Sequence, residues 1–233
     1  MNWRAECAAV IPGLNEETTI GSVVTAVRVH LPTVLVVDDG SADRTAALAA
    51  EAGAEVLRHQ TNQGKGAALQ SGWQRARLRQ FKWALMLDGD GQHSPDDIPA
   101  FLRCAESRAV DLVVGNRMGE AAQMPWLRRV VNRWMRRQIS KAAGRWLPDT
   151  QCGFRLMNLE ASAGLALRAA HFEIESELLF AFLAAGRAVE FVPIKVIYRN
   201  EQSKIHPLRD TLRWLRWWGR ARKLDGNAET LKR

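Results

Sequence analysis

Short apolar runs alternate with helical patterns through the first half of this sequence, and this alternation limits the fold more than any other feature. The predicted strands are residues 7–12, 33–37, 55–58, 83–87 and 111–114, and the helical patterns between them are residues 16–29, 43–52, 65–79 and 94–106. Strands that alternate regularly with helices form βαβ units, whose parallel sheet is covered by helices on both faces. The sequence therefore predicts an α/β fold with a mostly parallel sheet.

The second half of the chain is predicted to add elements to this core. They are a basic helix near 125–143, a strand at 154–157, helices at 159–169 and 174–185, a strand at 189–198 and a C-terminal basic helix. Neither an internal repeat nor a low-complexity linker separates these elements, which indicates one domain with C-terminal additions.

Polar or glycine-rich loops follow all five strands of the first half. They are residues 12–16, 38–41, 62–66, 88–93 and 115–117. Ligands of open parallel sheets bind beyond the carboxyl ends of the strands. Five such loops at one edge therefore predict a nucleotide-type site.

Two of these loops indicate particular ligands. Asp88 and Asp90 flank a glycine after a buried strand, and together with Gln92 they predict a divalent-cation site; the alternative is that Asp and Gly only form a turn. Lys65 and the backbone N–H groups of loop 62–66 are expected to hold an anion, unless this is a glycine-rich loop with a surface lysine. The chain lacks both GxxxxGK[ST] and GxGxxG, which excludes a P-loop enzyme and a dinucleotide-binding Rossmann domain.

The cysteines and the apolar segments exclude several protein classes. Cys7, Cys104 and Cys152 are far apart and odd in number, which argues against a disulfide framework and favours a reducing cytosol. The longest apolar stretch, 178–186, is about half of the ~20 residues of a spanning helix, and the N-terminus lacks the apolar core of a signal peptide. A cytoplasmic protein is expected, and binding to a membrane surface stays open.

The positive charge of the chain is concentrated in two segments. The formal net charge is +8, yet residues 124–145 carry seven basic and no acidic residues, and residues 206–233 carry eight basic and three acidic ones. Tryptophans accompany both segments: Trp126 and Trp134 lie in the first and Trp146 directly follows it, and Trp214, Trp217 and Trp218 lie in the second. Arginines beside a Leu/Trp face fit a helix lying on a membrane, a helix packed on its own domain, or, with little support, a nucleic-acid surface.

The motifs PGLNE, VVDDGSAD, NQGKGAAL, DGDGQHSPDDI, GNR, DTQCGFR and RNEQSK occur in an order that resembles family 2 glycosyltransferases. Dolichyl- and polyprenyl-phosphate mannosyl- and glucosyltransferases are the members most similar to it. The resemblance covers residues 7 to about 205 and implies the GT-A fold, with a Rossmann-like sheet. It also implies a nucleotide-sugar part at about 1–117, an acceptor-side part at about 118–205, and a separate basic helix and tail at 206–233.

The resemblance also implies roles for individual residues. Glu16, Asp38 and Asp39 are expected to contact the nucleoside, and Pro12, Asn15 and Gly40 stand beside them in the same loops. Asp88, Asp90 and Gln92 are expected to form the metal and diphosphate site, and the phosphate contacts are Arg117, Arg129, Arg199 and Lys204. Glu177 is expected to face the acceptor pocket. Asp90, Arg117 and Glu177 are expected to be catalytic. Gly13 and Leu14 stand where relatives often carry an aromatic residue, and Glu201 stands where a glycine is usual.

The implied activity is transfer of a sugar, with inversion, from GDP-mannose or UDP-glucose to a polyprenyl or dolichyl phosphate at the inner face of the membrane. Mg²⁺ or Mn²⁺ with Arg and Lys would neutralise the leaving diphosphate. A phosphate acceptor is already anionic and needs no strong base, whereas a sugar-hydroxyl or other lipid acceptor would require Glu177 or Glu175 as a base. A nucleotide-sugar or anionic-membrane binding module is the non-enzymatic alternative.

Overall fold

A single mixed sheet of seven strands organises the protein. The computed structural model describes residues 1–117, 126–197 and 207–230. The strands are β1 (Cys7–Gly13), β2 (Val34–Asp38), β3 (Glu55–Arg58), β4 (Trp83–Met86), β5 (Leu112–Asn116), β6 (Arg155–Asn158) and β7 (Val189–Pro193), in the spatial order β3-β2-β1-β4-β6-β5-β7. The prediction of an α/β fold with a mostly parallel sheet is confirmed.

Helices connect these strands and pack on the sheet. They are α1 (Trp3–Glu6), α2 (Ile20–His30), α3 (Thr45–Glu51), α4 (Lys65–Leu78), α5 (Ile98–Arg108), α6 (Trp126–Ala142), α7 (Ile174–Ala184) and α8 (Pro207–Thr230), with one 3-10 turn at Pro95–Asp97. Helix α4 packs across β1, β2 and β4, whereas α2 contacts α3 and α5. Gly72 lets α4 lie close to the sheet, because a Cβ there would come 2.3 Å from Cγ1 of Val10.

Strand β6 runs antiparallel to both of its neighbours, β4 and β5. Its first residue, Arg155, is level with Met86 of β4 and Val114 of β5. The start of β6 therefore lies at the edge where the parallel strands end. As a consequence, the loop that precedes β6 reaches the same edge as the polar loops that follow β1 to β5.

The helix predicted at 159–169 is wrong. Residues 159–164 form turns and residues 165–170 are irregular. Gly164 has a φ of +82°, and the backbone groups beyond it bind other parts of the protein: the carbonyl of Ala170 accepts from the N–H of Ala67 (3.1 Å) and that of Ala169 from Nε2 of Gln70 (3.1 Å). These tertiary partners replace the bonds that a helix would have made.

Other boundaries differ less from the predictions. Helix α2 begins at Ile20 instead of residue 16, because the backbone N–H of Glu16 donates to Oγ1 of Thr45 (2.7 Å) and the chain turns there. The short helix α1 was not predicted; its Trp3 packs edge-on against Trp83. The predicted strand 189–198 ends at Pro193, and its last residue lies outside the described residues.

The tryptophans of the C-terminal helix α8 are buried against the protein itself. Trp214, Trp217 and Trp218 are only 2%, 5% and 6% exposed, and Phe180 of α7 packs edge-on against two of them, Trp217 and Trp218. Of the interpretations left open for this helix, packing of its tryptophans on its own domain is the one observed. Among the described residues, no helix is both long and apolar enough to cross a membrane.

Candidate active site

The acidic pair Asp38–Asp39 ends β2 and is buried. The backbone N–H of Asp39 donates to the carbonyl of Gly13 (2.8 Å), which joins the ends of β1 and β2. Asp38 forms an ion pair with Nε of Arg58 (3.0 Å) and accepts from the N–H of Ser41 (3.0 Å). Both carboxylates therefore serve to hold the loops of this edge together.

The carboxylate of Asp39 is the anion held by loop 62–66. The backbone N–H groups of Gln63 (2.9 Å) and Gly64 (2.7 Å) donate to it, and Nδ1 of His59 lies 2.7 Å away. Nε2 of His59 is in turn 2.9 Å from Oγ of Ser71 on α4. Of the groups expected to hold an anion, the N–H groups of Gln63 and Gly64 thus bind a carboxylate of the protein itself.

The loop after β1 lies against the two acidic loops. Asn15 has a φ of +51°; its backbone N–H donates to Oγ of Ser41 (2.9 Å), and its Oδ1 accepts from the N–H of Ala42 (2.9 Å). A Cβ at Gly89 would lie 3.3 Å from the carbonyl of Pro12 and 3.5 Å from Cγ of Glu16. Glu16 and the Asp88–Asp90 loop are therefore neighbours.

Gly40 is a structural member of the same cluster. It has a φ of +77°, and a Cβ there would come 2.8 Å from the backbone of Thr61. A side chain at this position would therefore both strain the turn and push the 62–66 loop away from Asp39.

Asp88 is paired with a buried lysine. Nζ of Lys65 lies 2.5 Å from Oδ1 of Asp88 and 2.6 Å from Oε1 of Glu175, and its side chain is only 13% exposed. Burial would lower the pKa of Lys65, but the charges of Asp88 and Glu175 raise it above its usual range. Burial would likewise raise the pKa of Asp88, yet Lys65 and its other neighbours lower it to about 2. The alternative of a surface lysine is therefore wrong.

Asp90 differs from Asp88 in its electrostatic environment. Burial and the negative charge of Asp88 raise the pKa of Asp90 to about 6, although its Oδ1 accepts from the N–H of Gln92 (3.0 Å). His93, next along the loop, is buried, and burial lowers its pKa to about 4, so it is neutral at pH 7. A carboxylate whose pKa is raised by a neighbouring negative charge occupies a position where a cation is favoured.

Arg117 follows β5 and is held by Asp149. Nε and Nη2 of Arg117 donate to the two carboxylate oxygens of Asp149 (2.8 and 3.0 Å), and its backbone N–H is 3.3 Å from the same group. Burial alone would lower the pKa of Arg117, but Asp149 raises it, and the charge of Arg117 also lowers the pKa of Asp88. The pair uses two of the five N–H groups of a guanidinium, so Arg117 can still donate to a phosphate.

The loop before β6 completes the site from the opposite side. Arg155 is buried and donates to the carbonyls of Cys152 (2.7 Å), Glu175 (2.6 Å) and Thr150 (3.3 Å). A Cβ at Gly153 would lie 2.9 Å from Oδ2 of Asp88 and 3.0 Å from Nζ of Lys65. The loop therefore covers the Asp88–Lys65 pair, and a side chain at position 153 would displace the charged ends of these two residues.

Comparison with known proteins identifies the family. Residues 8–164 match the sequence profile described as Glycosyl transferase family 2. This chain is a family 2 glycosyltransferase.

The glycosyltransferase is similar to two curated relatives of comparable length. It is 30% identical over 212 residues to the UDP-N-acetylglucosamine–dolichyl-phosphate N-acetylglucosaminyltransferase of Methanococcus voltae, covering 81% of this chain and 84% of that one. It is 27% identical over 233 residues to the polyprenol monophosphomannose synthase of Mycolicibacterium smegmatis, covering 93% of this chain and 88% of that one.

The fold of the glycosyltransferase is the GT-A fold. Glucosyl-3-phosphoglycerate synthase of Mycobacterium tuberculosis, solved with Mn²⁺, uridine diphosphate and phosphoglyceric acid, superimposes with a TM-score of 0.68 at 21% identity, over 85% of this chain and 72% of that one. The fold class expected from the sequence is thereby confirmed. The expected enzyme class, a glycosyltransferase, is confirmed by the family match and by the two named relatives.

The remaining predicted residues of the glycosyltransferase lie apart from these contacts or outside the described residues. Glu177 accepts hydrogen bonds from the backbone N–H groups of Arg168 (2.8 Å) and Ala169 (2.7 Å) and from Nε1 of Trp217 (3.1 Å). Arg129 is half-buried on α6. Arg199 and Lys204 lie outside the described residues.

Several residues of the site were not predicted. Asp149 and Gly153 belong to the DTQCGFR motif. The contact of Asp149 with Arg117 and that of Gly153 with Asp88 could not be predicted, because the partners are far apart in the sequence. His59 follows β3 and therefore occupies the same edge as the predicted loops, which is the one signal that could have found it.

Proposed function

We propose that this glycosyltransferase transfers a sugar from a nucleotide-sugar to a polyprenyl or dolichyl phosphate, with inversion at the anomeric carbon and with the help of Mg²⁺ or Mn²⁺. The observation that carries the proposal is the buried Arg117–Asp149 pair, which lies close enough to Asp88 for the charge of Arg117 to lower the pKa of that acid. A cation site and a fixed arginine side by side suit a reaction between two phosphate-bearing substrates. The named activities of the two curated relatives support the lipid-phosphate acceptor.

The donor is proposed to bind at the ends of β1, β2 and β4. Glu16, Asp38 and Asp39 would contact the nucleoside, with Pro12, Asn15 and Gly40 shaping its loops. In this proposal residues up to about 117 hold the donor, residues from about 118 to 205 face the acceptor, and 206–233 form the basic helix and tail. GDP-mannose and UDP-glucose stay the candidate donors, and the name of the Methanococcus voltae relative adds UDP-N-acetylglucosamine.

Asp88 and Asp90 would hold the divalent cation, with Gln92 as a further oxygen ligand. The raised pKa of Asp90, caused by its burial and by Asp88, fits a position where positive charge is stabilised. Among the described residues no group of three or more His, Cys, Asp or Glu side chains could hold a metal ion, so water and diphosphate oxygens would complete the coordination. A bound cation would supply positive charge to the leaving diphosphate.

Arg117 would orient the acceptor phosphate, and Asp149 fixes Arg117 for that task. The phosphate is already anionic, so positioning and charge neutralisation account for the rate without a strong base. We propose that Glu175 helps to form the site around Asp88, because its carboxylate contacts Lys65, which is paired with Asp88. The contacts of Glu177 are those of a residue that fixes loop 165–170 and α8. Arg129, Arg199 and Lys204 stay proposed as phosphate contacts.

The test is transfer of radioactive sugar into the lipid phase. Purified protein is incubated with polyprenyl phosphate, Mg²⁺ or Mn²⁺, and labelled GDP-mannose, UDP-glucose or UDP-N-acetylglucosamine in parallel. We expect one donor to label the lipid, and Asp90→Asn and Arg117→Ala to lower the rate by about 100-fold or more. Arg103→Ala, which removes an exposed arginine from α5, is the matched control and should keep the wild-type rate.

Two results would overturn the proposal. If Asp90→Asn and Arg117→Ala both transfer sugar at the wild-type rate, neither residue takes part in the reaction. Absence of labelled lipid, together with transfer to a sugar hydroxyl, would establish the other acceptor class and make Glu175 the first residue to examine as a base.

We also propose that the protein reaches its lipid acceptor by binding the membrane surface. The supporting residues lie on α6, on α8 and in the turn after α6; they are the exposed apolar side chains Val130, Trp134, Trp146, Leu212 and Leu215 and the exposed basic ones Arg133, Arg137, Lys141, Arg145, Arg209, Arg216 and Arg220. We call this set the basic surface. Arginine and lysine beside exposed tryptophan and leucine suit the headgroup region of an anionic membrane.

A further inference from the structure

Three charged side chains from distant parts of the chain meet in the interior beside the proposed cation site. Lys65 begins α4, Asp88 follows β4, and Glu175 lies in the first turn of α7. Nζ of Lys65 is 2.5 Å from Asp88 and 2.6 Å from Glu175, and Lys65 and Glu175 are both largely buried, at 13% and 7% side-chain exposure. Asp88 is therefore not the only carboxylate that Lys65 neutralises.

The number of carboxylates that share Lys65 decides how much negative charge is left at Asp88. If Lys65 were paired with Asp88 alone, the two charges would cancel and Asp88 would attract a cation weakly. With Glu175 as a second partner, the three side chains carry a net charge of −1. The charges of these three side chains lie close together and are shielded from water, so they interact strongly. A change of one unit in their net charge therefore has a large effect on the affinity for a divalent cation.

We propose that Glu175 is a positioning residue that, by sharing Lys65, keeps Asp88 able to attract a divalent cation. The inference rests on the proposed function, because it concerns the cation of that reaction. Glu175 acts through Lys65 and need not touch the substrate.

Other residues hold the three groups in this arrangement. The backbone carbonyl of Glu175 accepts from Nη1 of the buried Arg155 (2.6 Å), which fixes the first turn of α7. Gly153 leaves room for the pair, since a Cβ there would lie within 3.0 Å of both Nζ of Lys65 and Oδ2 of Asp88. The first turn of α7 and the loop before β6 thus enclose Lys65 between its two partners, which gives the shared ion pair a defined geometry.

The test measures Mn²⁺ binding directly and does not depend on activity. Free Mn²⁺ is followed by electron paramagnetic resonance in titrations of the full chain, alone and with UDP or GDP, at mildly alkaline pH where Asp90 is ionised. The variants are Glu175→Gln, Lys65→Met/Glu175→Gln, and Glu173→Gln as a control that removes one carboxylate just before the same helix. Circular dichroism and thermal unfolding establish that each variant is folded.

The proposal predicts a loss and its rescue. Glu175→Gln leaves Lys65 and Asp88 to cancel each other and should weaken Mn²⁺ binding by about tenfold. The double variant restores the net charge of −1 and should recover most of the Mn²⁺ affinity, even though it carries one substitution more than Glu175→Gln. Glu173→Gln should bind like the wild type. A residue with only a structural role would not be rescued by removing its partner.

The inference is overturned if Glu175→Gln binds Mn²⁺ like the wild type, if the double variant binds no better than Glu175→Gln, or if the wild type does not bind Mn²⁺ at all. None of these results depends on lipid labelling. A protein that labels lipid but fails this test keeps its proposed transfer activity and loses only the role of Glu175.

Discussion

The carboxylate of Asp39 accepts hydrogen bonds from N–H groups of loop 62–66, which the sequence predicted to hold an anion. Two backbone N–H groups of loop 62–66 and one nitrogen of His59 surround it. Loop 62–66 is thereby fixed at the end of β2, and α4, which follows it, starts with Lys65 directed toward Asp88. The geometry of the proposed cation site therefore depends on Asp39 and His59 as well as on its own carboxylates.

Gly66 is a residue at which this arrangement tolerates substitution poorly. A Cβ there would lie 2.2 Å from the backbone carbonyl of Ala169, which cannot move freely because its own N–H is bound to Glu177. We expect Gly66→Ala to lower the free energy of unfolding by about 2 kcal/mol. Chemical denaturation measures this change.

Gly219 offers the matched control for Gly66. It also lies within a helix, but no heavy atom lies within 4 Å of a Cβ built there. Alanine is a better helix former than glycine, so Gly219→Ala should raise the free energy of unfolding by up to about 1 kcal/mol. Equal effects at the two positions would contradict the close contact between α4 and loop 165–170.

At the scale of elements, the parts predicted correctly from the sequence are those whose signals are local. The strands β1 to β5 are short apolar runs, and the loops after them are rich in Asp, Asn and Gly, so both their type and their common edge followed from pattern alone. The direction of β6 did not, because an antiparallel strand inserted between β4 and β5 carries no mark in its own residues.

The failed helix at 159–169 has a similar cause. Its leucines and alanines favour a helix locally, but Glu177 and α4 bind the backbone of residues 168–170 in an irregular conformation. The pairs Arg117–Asp149 and Lys65–Glu175 could not be predicted from the sequence either, because their members are 32 and 110 positions apart along the chain. Residue types at the site could be predicted, whereas their partners could not.

The docking of α8 on α7 depends on indole hydrogen bonds. Nε1 of Trp214 donates to Oγ of the buried Ser176 (2.9 Å), next to Glu175. Trp214→Phe should cost about 1–2 kcal/mol and lower the melting temperature by about 2–6 °C, because the donor is lost from a buried partner. Trp146→Phe, at a position that is 66% exposed, should leave the melting temperature nearly unchanged. Equal melting temperatures in the two variants would contradict this docking.

At the scale of the whole molecule, the site lies where the two parts of the chain meet. Lys65 and Asp88 come from the first part, and Asp149, Gly153 and Glu175 come from the second. Contacts between the parts are buried ion pairs and close backbone approaches. Helix α8 packs on α7 beside Glu175, so the part of the basic surface on α8 lies on an element that adjoins the proposed site.

Binding to anionic vesicles tests whether this surface meets the membrane. The wild type should sediment with vesicles that contain anionic lipid, and high salt should release it, because the attraction is electrostatic. Arg133→Glu/Arg137→Glu reverses two exposed charges on α6 and should weaken binding by more than about tenfold. Arg4→Glu/Arg103→Glu changes the net charge equally at exposed positions outside the basic surface. If both double variants weaken binding to the same extent, net charge alone explains it, and the basic surface has no special role.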